Sequence, residues 1–341
     1  MLISLRGSVL FLLSLSATSF AEDNDWRIAP ELILKNQWLS ETNPSPGSWI
    51  SLGLDGYKSF SINGKKFATA SFQIYEWCVN DRARRPSVLE DKDDCQLVTK
   101  TSVVNFHVSG DGKFNILVGH PELPFGLGVP VSSSETLRSM LTPRDIGGLK
   151  VDWGIGVNGT VDGWSYAATL TRGSGFEWEN EGRDGKSPWA FAARIGTATD
   201  SQRYLPVEGY GLSYFSSEGL TPNGAVVDRW RVAGDWVDYL GPWGVMAQLS
   251  VGETGSKPTR NYFLELNRSD QLERLVGYLQ LKSFNEERMT GWEKANSVHF
   301  GARYQLTKVA ILSAEISREF DVFGAAPEQT IIDVQLKLRW E

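Results

Sequence analysis

The sequence predicts an all-β fold: a single closed antiparallel transmembrane β-barrel of about sixteen strands, with fourteen and eighteen as the neighbouring counts left open. Three observations predict it. Apolar and polar residues alternate with period two almost to the last residue, as strands with one oily and one wet face require. The alternating segments run about 9–11 residues, the length a tilted strand needs to cross hydrocarbon, whereas soluble strands run about 5–6. The connections form a tight set and a long set that take turns along the chain, as in a barrel with short turns at one rim and loops at the other.

Taken in order, residues 1–21 stand apart. A positive charge at Arg6, an apolar run over 7–15 and the small-x-small signature Ser19-Phe20-Ala21 before Glu22-Asp23 read as an export signal. The run is too short to cross a membrane as a helix, which needs roughly 20 residues. Residues 22–341 remain as one barrel domain. No later stretch offers roughly 18 consecutive apolar residues, which excludes a helical membrane protein.

Alternation is clearest in three places. Over 148–158, Leu149, Val151, Trp153, Ile155 and Val157 share one face, opposite Lys150, Asp152, Gly154, Gly156 and Asn158. Over 298–306, Val298, Phe300, Ala302, Tyr304 and Leu306 oppose His299, Gly301, Arg303 and Gln305. In the last segment Ile332, Val334, Leu336, Leu338 and Trp340 alternate with Asp333, Gln335, Lys337 and Arg339. Candidate strands fall near 29–38, 47–60, 66–77, 96–108, 113–119, 148–158, 164–174 and 187–197. Eight more fall near 206–216, 226–238, 244–253, 259–267, 272–283, 296–306, 308–319 and 329–341, an even total as single-chain bacterial barrels require.

Turn chemistry punctuates one end: Asn63-Gly64, Gly110-Asp111-Gly112, Val161-Asp162-Gly163, Gly241-Pro242, 267–270 and Leu306-Thr307. The longer connections 39–46, 78–95, 120–147, 175–186, 217–225, 284–295 and 320–328 belong to the other end, which places both termini in the periplasm. Connection 198–205 is long for its class and 254–258 short. A possible helical turn is expected only near 133–141.

Composition agrees with this reading. The chain holds 34 glycines, 13 Trp, 10 Tyr and 16 Phe beside only 2 cysteines, which suits strands with aromatic rims. Trp38, Trp49, Trp77, Trp164, Trp189, Trp243 and Trp340 fall near strand ends, where an amphipathic ring suits the lipid–water interface. A net charge of −7 with no basic patch argues against a nucleic-acid partner. Cys78 and Cys95, with a polar run between them, read as a disulfide closing a loop in an oxidising compartment. They lack C-x-x-C spacing, so no metal and no cofactor is expected.

Residues 116–128, Ile-Leu-Val-Gly-His-Pro-Glu-Leu-Pro-Phe-Gly-Leu-Gly, resemble a strand-then-loop segment of the phosphate-selective porin O and P family of Gram-negative outer-membrane porins. The resemblance extends through Arg144-Asp145-Ile146-Gly147, 154–159, 164–170 and Arg172-Gly173, within 116–175. It implies a sixteen-stranded porin, outer-membrane lipid as surroundings and a homotrimer as assembly. That family's selectivity rests on many basic residues at the constriction. Here loop 120–147 has only Arg138 and Arg144 against Glu122, Glu135 and Asp145, so phosphate selectivity does not carry over.

A wetted lumen needs polar walls and one narrow point. Inward positions supply Lys35, Asp55, Lys150, Asp152, Arg194, Arg229, Arg231, Asp235, Glu265, Arg274, Lys282, Arg303, Glu315, Asp333, Lys337 and Arg339. On the lipid face each charge would cost roughly 2–4 kcal/mol at mid-bilayer, so they are expected to point inward. Ten are basic and six acidic; either they neutralise one another, or they give a mild anion preference. Loop 120–147, stiffened by Pro121, Pro124, Pro130 and Pro143, is the constriction candidate, with Glu135, Arg138, Arg144 and Asp145 as its charged ring.

The expected function is therefore passive diffusion of small hydrophilic solutes or ions across a Gram-negative outer membrane. Two other classes stand beside it. A hydrolase would need a nucleophile and base, and the chain offers His107, His120 and His299 with no G-x-S-x-G, so no enzyme is expected. A non-conducting barrel, acting as adhesin, assembly partner or sheath for a periplasmic electron carrier, is the alternative.

Overall fold

The computed structural model describes residues 26–40, 47–79, 95–128, 137–138, 145–147, 149–174, 187–197, 205–220, 226–270, 272–288, 291–320 and 328–340. The expected export signal 1–21 lies outside the described residues, as does the helical turn near 133–141 apart from Leu137 and Arg138.

Sixteen antiparallel strands form one closed barrel in simple up-and-down order. They are β1 (Arg27–Leu39), β2 (Gly47–Ile62), β3 (Lys65–Val79), β4 (Cys95–His107), β5 (Asn115–His120), β6 (Gly154–Val161), β7 (Trp164–Thr171) and β8 (Trp189–Thr197). The second half is β9 (Gly209–Leu220), β10 (Val226–Leu240), β11 (Trp243–Thr254), β12 (Lys257–Ser269), β13 (Leu275–Arg288), β14 (Gly291–Gln305), β15 (Ala310–Phe320) and β16 (Gln329–Arg339). Closure joins β1 to β16 in a register that sets Glu31 opposite Arg339 and Gln37 opposite Asp333. A free strand edge has no water to bond in a bilayer, so the chain's two ends must pair.

The two-residue periodicity sorts side chains to opposite walls. On β10, Trp230, Val232 and Trp236 face out while Arg229, Arg231, Ala233, Asp235 and Val237 are buried inward. On β16, Ile332 faces out against buried Asp333, Gln335 and Lys337. Outer residues such as Leu249, Ile195 and Phe300 are largely exposed around the whole circumference. An apolar belt of that kind is unfavourable in water at about 25 cal/mol per Å² and at home in hydrocarbon. Among the described residues no helix is long and apolar enough to cross a membrane.

Tight turns need backbone that most residues avoid. Asn63 and Gly64 both have positive φ (52° and 74°), as do Asp162 and Gly163 (50° and 81°). Asn, Asp and Gly tolerate that region, which is why these pairs close two-residue hairpins. Cys78 and Cys95 sit directly opposite each other on β3 and β4 and are joined by a disulfide, stapling the base of the loop between them.

Four expectations need correction. Segment 148–158 is not one strand: β6 starts at Gly154, and Leu149 and Val151 are buried under the loop instead of facing lipid. Lys150 and Asp152 are thereby not wall positions of a strand. Connection 284–295 is not a long loop either, because β13 and β14 continue in register from Asn285 opposite Lys294 to Arg288 opposite Gly291. Finally, Trp49 and Trp77 belong to the inner wall: Trp49 pairs with inward Lys35, and Trp77 with buried Ser51. Trp38, Trp164, Trp189 and Trp243 do lie exposed on the outer face.

Candidate functional site

The site is the third long connection, whose described residues, 121–128, 137–138, 145–147 and 149–153, lie inside the barrel against its inner wall. Its two legs are stapled where they leave and rejoin the wall. Leu123 N–H donates to the Lys150 carbonyl (2.9 Å), and Asp152 N–H to that of Pro121 (3.2 Å). Proline at 121 and 124 has no N–H for a ladder, so regular pairing with β4 ends at His120 and only the bridge between Glu122 and Val151 follows. A single 3-10 turn, Gly126–Gly128, then bends the chain against the far wall. Gly126 is required there: its φ is +55°, and a Cβ would overlap the Gln248 side chain.

Apolar contacts seat this loop. Leu123, Phe125, Ile146 and Leu149 pack on Ala190, Ala192, Phe215 and Ala233, the inward residues of β8 to β10. Leu127 packs on Val237, Met246, Phe263, Phe284 and Ala295 of β10 to β14. Small inward alanines leave room for the loop. That explains the apolar groups that this sector of the wall carries.

Polar anchors fix the loop's position. Gly126 N–H donates to Ser213 Oγ (2.9 Å) and Leu127 N–H to Gln248 Oε1 (2.8 Å). Arg138 grips Glu265 of β12 with both Nε (2.7 Å) and Nη2. Neither side chain has any exposure, and Gln280 donates to the same carboxylate (2.7 Å). Asp145 accepts from Gln248 (2.9 Å), Ser250 (3.0 Å) and Asn261. Asp145 sits on the loop, not on a crossing strand. Burial pushes its carboxyl up to about 6, while the three donors and the nearby Arg231 pull the other way.

The expected charged ring is thus corrected at two positions. Arg138 and Asp145 are fully buried between loop and wall, where they hold the loop and do not face the lumen. Glu135 and Arg144 lie outside the described residues. Lys150 reaches Glu122 across the loop's legs (3.8 Å), and Asp152 accepts from the Trp153 (2.9 Å) and Gly173 N–H groups.

The wall opposite the loop is a charge ladder along the closure seam. Lys337 forms an ion pair with Glu31 (2.8 Å), Arg339 lies near Glu31 (3.5 Å) and donates to Asp55 (2.6 Å), and Lys35 pairs with Asp333 (3.2 Å). Tyr75 and Gln73 donate to Asp55 (2.9 and 3.3 Å), and Gln37 to Asp333 (2.9 Å). Elsewhere Arg194 holds Asp235 in a two-point bond (2.6 and 3.1 Å), and Arg303 donates to the Glu273 carbonyl (3.1 Å). His299 bonds Glu315 (2.9 Å) and Ser297 (3.0 Å), a lumen hydrogen-bond chain that Tyr278 extends.

Sequence reasoning missed Glu31, Gln248, Ser250, Asn261 and Gln280. All five lie at inward positions of alternating strands, so the signal existed. Four of them are neutral amides or a hydroxyl, which carry no charge penalty on either face, so the pattern does not single them out. Glu31 is charged, and its inward place on β1 was open to the same parity argument as its neighbour Lys35.

Against known proteins, no family model matches the sequence and no curated protein does. Solved structures do match. OmpF of Salmonella typhi, solved with daunomycin, superposes with a TM-score of 0.64 at 11% identity, covering 94% of this chain and 100% of that one. An anion-selective porin from Comamonas acidovorans gives 0.64 at 12% identity, covering 92% and 99%. OprB of Pseudomonas putida gives 0.62 at 11% identity, covering 98% and 97%. Identity this low speaks for fold alone: the chain has the porin-type sixteen-strand barrel. The likeness spans the whole barrel and does not single out the phosphate-selective porin O and P family.

Proposed function

We propose that this chain is a Gram-negative outer-membrane channel through which small hydrophilic solutes and ions pass by diffusion. The observation that carries the reading is the third loop, pinned inside the lumen by Arg138–Glu265 and by the Asp145 bonds. A barrel serving only as an adhesin or a sheath has no need to narrow its own interior. Polar, paired walls beside that loop suit the passage of hydrated solutes, and the apolar belt suits outer-membrane lipid. The porin-type fold supports the same class. Residues 1–21 would direct export through the periplasm, and a homotrimer is the assembly the resemblance implies.

Selectivity follows from how the charges are arranged. Along the seam Lys35, Lys337 and Arg339 meet Glu31, Asp55 and Asp333, so the local field largely cancels. Any anion preference is accordingly mild. Reversal potentials in a salt gradient test it, and a preference for K⁺ over Cl⁻ removes it.

Proteoliposome swelling tests the function itself. Purified, refolded protein should admit small sugars at rates that fall with solute size. Vesicles that stay impermeable to the smallest sugar, with the barrel folded, overturn the channel reading.

A further inference from the structure

Among the described residues, two arginines on one face of β10 have no hydrogen bond or ion pair to a carboxylate. Arg229 is 9% exposed, and among the described residues it has no hydrogen bond and no ion pair; its Nη1 is buried without an acceptor. Arg231, two residues on and 1% exposed, bonds only neutral oxygens: the carbonyls of Trp230 (2.7 Å) and Glu253, and Thr254 Oγ1 (2.6 Å). Its Nε is likewise buried without an acceptor. Asp145 and Glu286 act on this pair through space only.

The backbone is shaped around Arg229. A Cβ on Gly147, whose φ is +71°, would come 2.9 Å from the guanidinium carbon. A Cβ on Gly219 would come 2.9 Å from Nη1 and 3.1 Å from Leu149. Two glycines and the returning leg of the third loop therefore enclose a cation that has no hydrogen bond or ion pair among the described residues. Burying a cation without contact partners is strongly unfavourable, and a guanidinium edge with free N–H groups is a matched receptor for a planar or tetrahedral oxyanion.

We propose that Arg229 and Arg231 form an anion-binding site behind the third loop, off the solute path, which takes a small oxyanion of carboxylate or phosphate type. The bound anion bridges β10 to the loop's returning leg at Gly147, which shifts to admit it. The site is independent of conduction and would exist in a non-conducting barrel as well.

Thermal unfolding of the full-length protein in detergent, followed by tryptophan fluorescence at constant ionic strength, tests this. Phosphate or acetate, titrated against chloride, should raise the midpoint in a saturable way. The stronger of the two identifies the preferred geometry. Arg229→Gln should weaken the apparent affinity about tenfold or more, the loss of one charge-assisted contact. Equilibrium dialysis of radiolabelled phosphate and acetate with the unaltered protein reads the same site should the variant fail to fold. Absence of saturable binding of either anion overturns the proposal, and so does an identical response in Arg229→Gln.

Discussion

Arg138 and Glu265 illustrate how position decides what a charge does. The pair is fully enclosed, with Gln280 and Asn267 (2.7 and 2.8 Å) donating to the remaining carboxylate lone pairs. Replacing only one partner leaves a buried charge behind, so Arg138→Ala should cost about 3–5 kcal/mol of loop docking, read as a lowered urea midpoint. An unchanged midpoint would mean that the loop is not held there. Asp145 adds a pH dependence of definite sign. Its docked carboxyl titrates at about 6, above the ordinary 3.8, so docking takes up a proton. This contribution is fully present below about pH 4 and is lost as pH rises through about 6. The wild-type midpoint should fall across that window relative to Asp145→Asn, which lacks the titration; parallel curves would contradict the assignment. Both residues were identifiable as charges on the longest connection. Their anchoring role was not, because burial between loop and wall depends on residues more than a hundred positions away.

Strands were the most legible elements, since each carries its own evidence in alternating residues. β16 reads off directly from Ile332 to Arg339. The segment 148–158 misled because Leu149 and Val151 are apolar for a different reason: they are buried beneath the loop, where Leu149 packs on Ala190 and Phe215. Alternation reports that every second side chain is buried, not what buries it. Residues 285–294 misled in the opposite sense. They are mostly polar, so they resemble loop, yet Asn285 to Arg288 pair in register with Gly291 to Lys294. The outer face gives this scale its test. Leu264, midway along β12 and facing out, should tolerate arginine poorly: Leu264→Arg costs about 2–4 kcal/mol at the bilayer midplane. Folding into lipid vesicles, followed by the heat-sensitive gel mobility of intact barrels, should be visibly impaired. Normal folding would place Leu264 outside the hydrocarbon.

At the scale of the whole molecule, strand count and closure follow from one constraint: an unpaired edge has no partner in lipid. Sixteen strands, an even number, are countable from alternation and turn spacing alone, and the seam between β1 and β16 completes them. The lumen was less legible. Parity gave each strand charge an expected face, misplacing Lys150 and Asp152, and it did not give that the seam charges pair, nor that Glu31 sits at their centre, beside Lys337 and Arg339. Pairing is a property of neighbouring strands brought together from opposite ends of the chain. The resulting interior is asymmetric, with the loop and its apolar seat on one side and a balanced charge ladder on the other. On the proposed channel reading, the loop would set the width and the ladder the field.

Single-channel recording in planar bilayers tests that division most directly. The wild-type barrel should open in discrete, uniform steps, and the double variant Arg138→Ala/Asp145→Ala should give larger or noisier steps as its loop leaves the wall. A folded wild-type barrel that never conducts, or a double variant whose steps match the wild type in size and noise, would contradict the account.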